Sequence, residues 1–212
     1  HYKILKAAQQ VSDEGIAFPV LLGRKQKIID LIDEFSIEFE NLIIIDPKDE
    51  SQKKKRDEYG DILWEKRKRK GLTQFEARKL MRERNYFGSM MVETGEADAL
   101  ISGITRNYKD VIRPALQVVG KQDGVDKVAG MYVLVTKRGP LFLADTTVNF
   151  DPTAEELSEI TNMVAKKVRQ LNVQPKIALL SYSNFGSAPG VDSKKMSKAR
   201  GIINERYPHL VV

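Results

Sequence analysis

Apolar and polar residues alternate along the chain in blocks that predict helices and strands following one another. Apolar side chains recur at helical spacing in several segments, and glycines such as Gly15 and Gly71 end them. Short apolar runs between these segments predict buried strands: "IAFPVLLG", "NLIIIDP", "ADALISG" and "KIALLS". Strands that alternate with helices indicate an α/β fold with a mostly parallel sheet covered on both faces.

The second half of the chain adds two features to this pattern. "VAGMYVLVT" and "LFLAD" flank "KRGP" and predict an antiparallel hairpin. The longest predicted helix is "DPTAEELSEITNMVAKKVRQL", with Asp151 as its cap and Pro152 in its first turn. Its apolar stripe consists of Leu157, Ile160, Val164, Val168 and Leu171.

Capping residues and a proline indicate where other helices begin. Thr73 and Glu76 have the spacing of a capping box. Pro114 in "DVIRPALQVVG" is expected near the first turn of its helix, where a missing N–H is tolerated. The chain begins inside a predicted helix and stops in the apolar run "HLVV", so we expect a fragment of a longer protein.

The composition excludes some kinds of chemistry. The 212 residues are 42% hydrophobic and 30% charged, which is ordinary for a globular protein. The absence of cysteine rules out disulfides and thiolate metal sites, and His1 and His209 are the only imidazoles. No apolar stretch approaches a membrane span and no signal peptide opens the sequence, so a cytoplasmic location without membrane contact is the expectation.

The net charge of +6 is concentrated in two basic runs, 53–56 and 66–70. Such runs can attract nucleic acid, membrane headgroups or a phosphorylated small molecule. Interleaved acids and the inward spacing of Tyr59, Ile62 and Leu63 favour a solvated helix face instead. We therefore expect no nucleic-acid partner, and we expect Trp64, Tyr86 and Phe87 to pack in the core.

Five motifs in a fixed order resemble the phosphate acetyltransferase family, whose members exchange acetyl between coenzyme A and phosphate. They are "ILKAAQQVSDEGIAFPVLLG", "YFGSMMVETGEADALISG", "RPALQVVG", "FLADTTVNFDPTAEELSEIT" and "ALLSYSNFGSA". The resemblance implies a two-domain α/β/α fold of the isocitrate dehydrogenase-like type and a homodimer, or higher oligomer, formed through the second domain. We place the domains at 1–122 and 123–212, the second incomplete at its C-terminus.

Within that superfamily the likeness is closer to the acetyltransferase-like domain of bacterial malic enzymes. "KRKGLTQFEARKLMRERN", "GEADALISGITRNY" and "KMSKAR" are similar to that branch. Stand-alone transferases carry a lysine where this chain has Phe185, and a pair of small hydroxyl residues where it has Asn107 and Tyr108. Both departures argue against transferase chemistry.

The resemblance also implies a ligand site. Arg113 matches the family's anion-binding arginine and is expected at the start of a helix, although it could instead pair with Asp110 on the surface. The loop "SYSNFGSAPG" is either an anion cradle at the end of a strand or a plain turn. Asn149 is expected to donate to the ligand, and Asp145 to hold a turn. The complete predicted set of acetyl-CoA or phosphate ligands is Ser102, Gly103, Asn107, Arg113, Asn149, Ser183, Asn184, Gly186 and Ser187.

These features predict an acetyl-CoA-binding regulatory domain of a malic enzyme. The parent would oxidatively decarboxylate malate to pyruvate, using NADP or NAD and Mg or Mn in an N-terminal part outside this chain. In agreement, the sequence has no G-x-G-x-x-G dinucleotide fingerprint. The alternative is an active phosphate acetyltransferase; a nucleic-acid module has only the charge in its favour. Because the family's catalytic C-terminal segment is not among these residues, we expect no catalysis by this chain alone.

Overall fold

The computed structural model describes residues 1–184 and 187–212, so the predictions for Phe185 and Gly186 lie outside the described residues. The chain forms two compact units, His1–Gly120 and Lys121–Val212. The first contains helices α1 (Tyr2–Asp13), α2 (Lys25–Glu34), α3 (Lys53–Arg67), α4 (Gln74–Leu80), α5 (Arg84–Glu93) and α6 (Tyr108–Val118), with strands β1 (Val20–Leu22) and β2 (Ile43–Ile45). The second contains strands β3 (Met131–Thr136) and β4 (Gly139–Ala144), with helices α7 (Ala154–Gln170) and α8 (Val191–Arg206).

The strand pairing confirms a mixed α/β fold with parallel pairing and an added antiparallel hairpin. β1 and β2 are parallel, with Val20 opposite Ile43 and Leu22 opposite Ile45. β3 and β4 are antiparallel from Met131 opposite Ala144 to the turn. Each sheet has two strands in the described part of the chain.

Two predicted strands are wrong in extent. Residues 97–103 form an irregular segment; Ile101 is 96% exposed there, so this apolar run is not buried as a central strand would be. In 176–181 and at the C-terminal "HLVV", pairing is reduced to one parallel bridge between Lys176 and Val211. Apart from that bridge, these apolar runs make no strand pairing within the described residues.

The main core of the first unit forms where α3, α4, α5 and α6 meet. Its buried residues are Tyr59, Leu63, Ala77, Met81, Tyr86, Phe87, Met90, Met91 and Val118. Helix α5 is buried over six consecutive residues, Tyr86 to Met91, which makes it the central helix of the unit. The prediction that Tyr86 and Phe87 pack in the core is correct, and Trp64 packs against the same cluster.

The basic runs of α3 and the segment after it are used mainly in contacts within the unit. Arg56 is buried and its guanidinium donates to the carbonyls of Pro47 and Asp49. Lys55 pairs with Glu96, and Lys66 pairs with Glu93. Ile62, predicted to face inward with Tyr59 and Leu63, is 38% exposed instead. The absence of a nucleic-acid partner stays a prediction.

The helix ends follow local capping chemistry. Thr73 and Glu76 form the predicted capping box of α4. The predicted cap of α7 was wrong: Thr153, not Asp151, accepts from the N–H of Glu156, which places Pro152 before the helix. Asp151 instead accepts a hydrogen bond from Lys195 of α8, at 2.5 Å. None of the helices within residues 1–184 and 187–212 is both long and apolar enough to cross a bilayer.

Candidate functional site

A cavity of about 480 Å³ lies in the first unit beside the carboxyl ends of β1 and β2. Gly23 and Asp46, which follow the two strands, line it together with the start of α2 and the start of α5. The carboxyl ends of parallel strands are where open α/β sheets place their ligands. This position makes the cavity a candidate binding site.

Positive charge dominates the lining of this cavity. Its cationic side chains are Arg24, Lys27, Lys48, Arg82, Arg84 and Arg106. Its acids are Asp46 and Glu83; Glu83 lies 3.6 Å from the guanidinium of Arg106, and Asp46 accepts from the backbone N–H of Lys48. The cavity therefore carries a surplus of cations that suits a ligand with several phosphate charges.

The loop before α6 extends this basic surface. A second cavity, of about 360 Å³, is lined by Ile104, Thr105, Arg106, Asn107 and Asp110, and Thr105 and Arg106 line both cavities. Gly103 has φ of 142°, which strongly favours glycine at this position. Asn107 precedes α6 as its N-cap, yet its side chain makes no cap hydrogen bond within the described residues. Its carboxamide is therefore available to a ligand.

Arg113 is exposed on α6, and no carboxylate in the described part of the chain lies within 4.0 Å of it. The surface pairing with Asp110 that the sequence left open is thus not formed. The predicted place at the helix start was wrong: Arg113 is the sixth residue of α6, and Pro114 is the seventh. Its guanidinium therefore has no carboxylate partner among the described residues, and it lies beyond the N-terminal turn of the helix.

Tyr86, a buried core residue, makes a hydrogen bond to α6, the helix that carries Arg113. Its hydroxyl donates to Oε1 of Gln117 at 2.5 Å. Burial raises the pKa of Tyr86, while the positive charges of Arg113 and Arg67 act in the opposite direction. The phenol stays neutral at physiological pH, so it leaves the charge of Arg113 uncompensated.

Ser102 is engaged by another side chain. Its hydroxyl donates to Oδ1 of Asn85 at 2.8 Å, because the amide nitrogen of Asn85 faces a carbonyl, that of Asp110. The single proton of Ser102 is then used, and its oxygen can only accept from a ligand. The place of Ser102 in the predicted ligand set stays a prediction.

The described residues of the predicted ligand loop "SYSNFGSAPG" make hydrogen bonds with one another. The hydroxyl of Ser183 accepts from the N–H of Ala188 at 3.0 Å, and the carbonyl of Asn184 accepts from the N–H of Ser187. The side chains of Asn184 and Ser187 are exposed. Both interpretations of this loop, an anion cradle and a plain turn, stay open, because these hydrogen bonds leave the two exposed side chains accessible to a ligand.

Asn149 is committed to the protein itself. Its amide group donates to the carbonyl of Val128 at 2.9 Å and to the carboxylate of Asp145. Both amide protons are used within the unit, and a ligand role for Asn149 stays a prediction. Asp145 holds the turn as expected: it accepts from the N–H groups of Gly130 and Asn149, each at 2.8 Å.

The predicted residues fall into two groups. Ser102, Gly103, Asn107 and Arg113 belong to the first unit; Asn149, Ser183, Asn184 and Ser187 belong to the second. The cationic residues that line the cavity of about 480 Å³ were not among the predicted site residues. A signal existed, because "GRKQK" and "DPK" directly follow the predicted first and second strands.

Similarity to known proteins indicates the family of this chain. Residues 1–212 match the family described as phosphate acetyl/butaryl transferase. The chain belongs to this family. It is 36% identical over 211 residues to the NADP-dependent malic enzyme of Escherichia coli (strain K12), and 34% identical over 212 residues to the phosphate acetyltransferase of Synechocystis sp. (strain ATCC 27184 / PCC 6803 / Kazusa). The solved EutD phosphotransacetylase from Staphylococcus aureus is 28% identical, with a TM-score of 0.83.

These matches cover almost all of this chain but only part of each relative. In all three, 99% of this chain is covered. The covered share is 28% of the malic enzyme, 30% of the Synechocystis transferase and 64% of the solved chain. The family and the mixed α/β fold are therefore established, and the isocitrate dehydrogenase-like type stays a prediction.

Proposed function

We propose that this chain is an acetyl-CoA-binding regulatory domain of a malic enzyme. The observation that carries the proposal is the cation-lined cavity of the first unit, whose surplus charge suits the phosphates of coenzyme A. The free guanidinium of Arg113 adds a fork for phosphate oxygens. Asn107, at the N-cap of α6, contributes a carboxamide that makes no cap hydrogen bond within the described residues.

A regulatory role is favoured over transfer by the start of α6. Asn107 and Tyr108 stand where the sequence analysis placed the family's two small hydroxyl residues. An amide and a phenol can bind a ligand, but they do not reproduce two small hydroxyl groups beside a reacting phosphate. The alternative, an active phosphate acetyltransferase, would form acetyl phosphate from acetyl-CoA and phosphate.

The chemistry on malate would be performed elsewhere in the protein. A separate part would bind malate, NADP or NAD, and Mg or Mn, and this domain would report acetyl-CoA to it. Coupling between two binding sites is reciprocal. Ligands of the malate site should thus change acetyl-CoA affinity by the same factor as acetyl-CoA changes theirs.

The test is acetyl-CoA titration by calorimetry of the full-length protein and its Arg113→Ala variant, with malate turnover measured in parallel. The variant should bind acetyl-CoA more weakly by about 1–3 kcal/mol, the size of a lost charge-assisted hydrogen bond. Malate turnover without acetyl-CoA should be unchanged. Arg113→Lys should restore binding only in part, since an ammonium keeps the charge but not the fork.

Arg200→Ala is the matched control, because Arg200 is exposed on α8 and belongs to the second unit. It should leave acetyl-CoA binding unchanged. If wild type binds no acetyl-CoA, the proposed function is wrong. If wild type and Arg113→Ala bind acetyl-CoA equally well, the placement of the ligand at Arg113 is wrong. Formation of acetyl phosphate by the wild-type chain would establish the alternative.

The homodimer through the second unit is also a proposal. It is supported by the β3–β4 hairpin, whose exposed apolar residues include Tyr132, Leu134, Val135 and Leu141, 45–90% accessible. A two-stranded hairpin is marginal alone, so covering it by a second copy would stabilise it. Sedimentation equilibrium should show a dimer that Val135→Lys weakens. A wild-type protein that stays monomeric at tens of micromolar, roughly the range where stable assemblies form, would contradict it.

A further inference from the structure

Pro114 interrupts the hydrogen bonds of α6. Proline has no N–H, so the carbonyl four residues earlier, that of Asp110, lacks its usual helical donor. Pro114 is buried in the seventh position of the helix, well beyond the first turn where proline is easily tolerated. The sequence analysis expected it nearer the start, and the structure shows how the later position is accommodated.

Asn85 supplies the missing donor. Its Nδ2 donates to the carbonyl oxygen of Asp110 at 2.7 Å. Its Oδ1 accepts from the hydroxyl of Ser102 at 2.8 Å. A single carboxamide therefore joins the loop that carries Ser102 to the helix that carries Arg113.

The anchor of Asn85 is rigid. Asn85 is the second residue of α5, and the six residues that follow it, from Tyr86 to Met91, are buried. Gly88 in this helix lies so close to Leu22 and Leu100 that an added Cβ would be 2.8–2.9 Å from their methyl groups. A side chain held by such a packed helix can fix the direction of its partners.

We propose that Asn85 is a positioning residue for the acetyl-CoA site, an inference that rests on the proposed function. It stands in for the N–H that Pro114 lacks and thereby orients the turn of α6 that contains Arg113. Asn85 touches no reacting atom in this role. It acts through the placement of Arg113 and of the Ser102 loop.

Two double-mutant cycles on the full-length protein test this, with acetyl-CoA dissociation constants measured by calorimetry where all variants are folded. Asn85→Ala should weaken acetyl-CoA binding about fivefold, the usual scale of one lost hydrogen bond. Pro114→Ala restores an N–H to the helix, so adding Asn85→Ala to it should change the dissociation constant less than about twofold. In the Arg113→Ala background, Asn85→Ala should weaken binding less than it does in wild type, because part of its effect passes through Arg113.

If Asn85 had only a structural role, Asn85→Ala would lower the unfolding temperature, but its effect on acetyl-CoA binding would not depend on Pro114 or Arg113. Asn162→Ala is the control, since Asn162 is half-buried on α7 and makes no side-chain hydrogen bond within the described residues. Unchanged binding in Asn85→Ala, or an equal loss with and without Pro114, would overturn the inference while the proposed function stands. Failure of wild type to bind acetyl-CoA would instead overturn the proposed function, and the site role of Asn85 with it.

Discussion

The two units of the chain are stabilised in different ways. The main core of the first contains nine buried residues, among them the edge-to-face pair Tyr59 and Phe87, whose ring centroids are 5.1 Å apart. In the described part of the second unit, the core cluster of buried residues is smaller and consists of Ala165, Ile203 and Leu210. The second unit instead has polar contacts at its turns and helix ends, and it leaves Phe150 and much of the hairpin exposed.

This difference indicates a division of roles. The first unit can hold a cation-lined cavity because its packed helices keep like charges in place despite their repulsion. The second unit, whose hairpin leaves apolar residues exposed, is the part that would gain most from a partner. Steric changes should therefore damage the first unit most, and electrostatic changes the second.

The largest effect is expected from Gly60→Ala in the first unit. A Cβ at Gly60 would lie 2.5–2.8 Å from Cγ, Cα and the backbone nitrogen of Arg78, so α3 and α4 would have to separate. We expect a loss of about 3 kcal/mol in the free energy of unfolding, at the upper end for overpacking. Chemical denaturation followed by fluorescence measures it, because the only tryptophan, Trp64, packs against this core.

Gly201→Ala is the matched change in the second unit. Gly201 lies inside α8, and an added Cβ would meet no atom within 4 Å. Alanine should stabilise this helix by about 0.5–1 kcal/mol, since glycine is a poor helix residue. Hydrogen exchange in α8 reports this unit separately. Equal effects of the two substitutions would contradict the contrast between the units.

The sequence predicted helices better than strands, for a physical reason. A helix makes its hydrogen bonds within one segment, so its period and caps are local, as the capping box of Thr73 and Glu76 illustrates. A strand needs a neighbour that the segment itself does not specify. The runs at 97–103 and 176–181 have strand composition, yet the first pairs with nothing and the second makes one bridge within the described residues.

The candidate site was predictable in part. The family motif indicated Arg113, and among the described residues its guanidinium has no carboxylate partner. The partners of Asn149 could not be predicted, because only the fold brings the carbonyl of Val128, 21 residues away, to its amide. Asn85 gave no signal at all, since its role depends on the spatial approach of α5 to the proline of α6.

A further destabilisation is expected at Asp145, which organises the turn before α7. Its carboxylate accepts from the N–H groups of Gly130 and Asn149 and from the side chain of Asn149. Burial alone would raise the pKa of Asp145, but the hydrogen bonds from Asn149, Gly130 and Thr147 outweigh it and lower the pKa. Asp145→Asn should cost the second unit about 1.5–3 kcal/mol at neutral pH, the range for hydrogen bonds to a charged group.

The pH dependence distinguishes this charge effect from a steric one. Because the folded-state pKa is lowered, the carboxylate stabilises the fold above its unfolded pKa of about 4, and this stabilisation is lost as pH falls through the folded value. The gap between wild type and Asp145→Asn, measured by hydrogen exchange and thermal unfolding, should be full at pH 7 and shrink below about pH 4. Asp123→Asn, at an exposed position of the same unit, should show no such gap at either pH. A gap for Asp145→Asn that is independent of pH would mean that the shape of the turn, and not the charge, stabilises it.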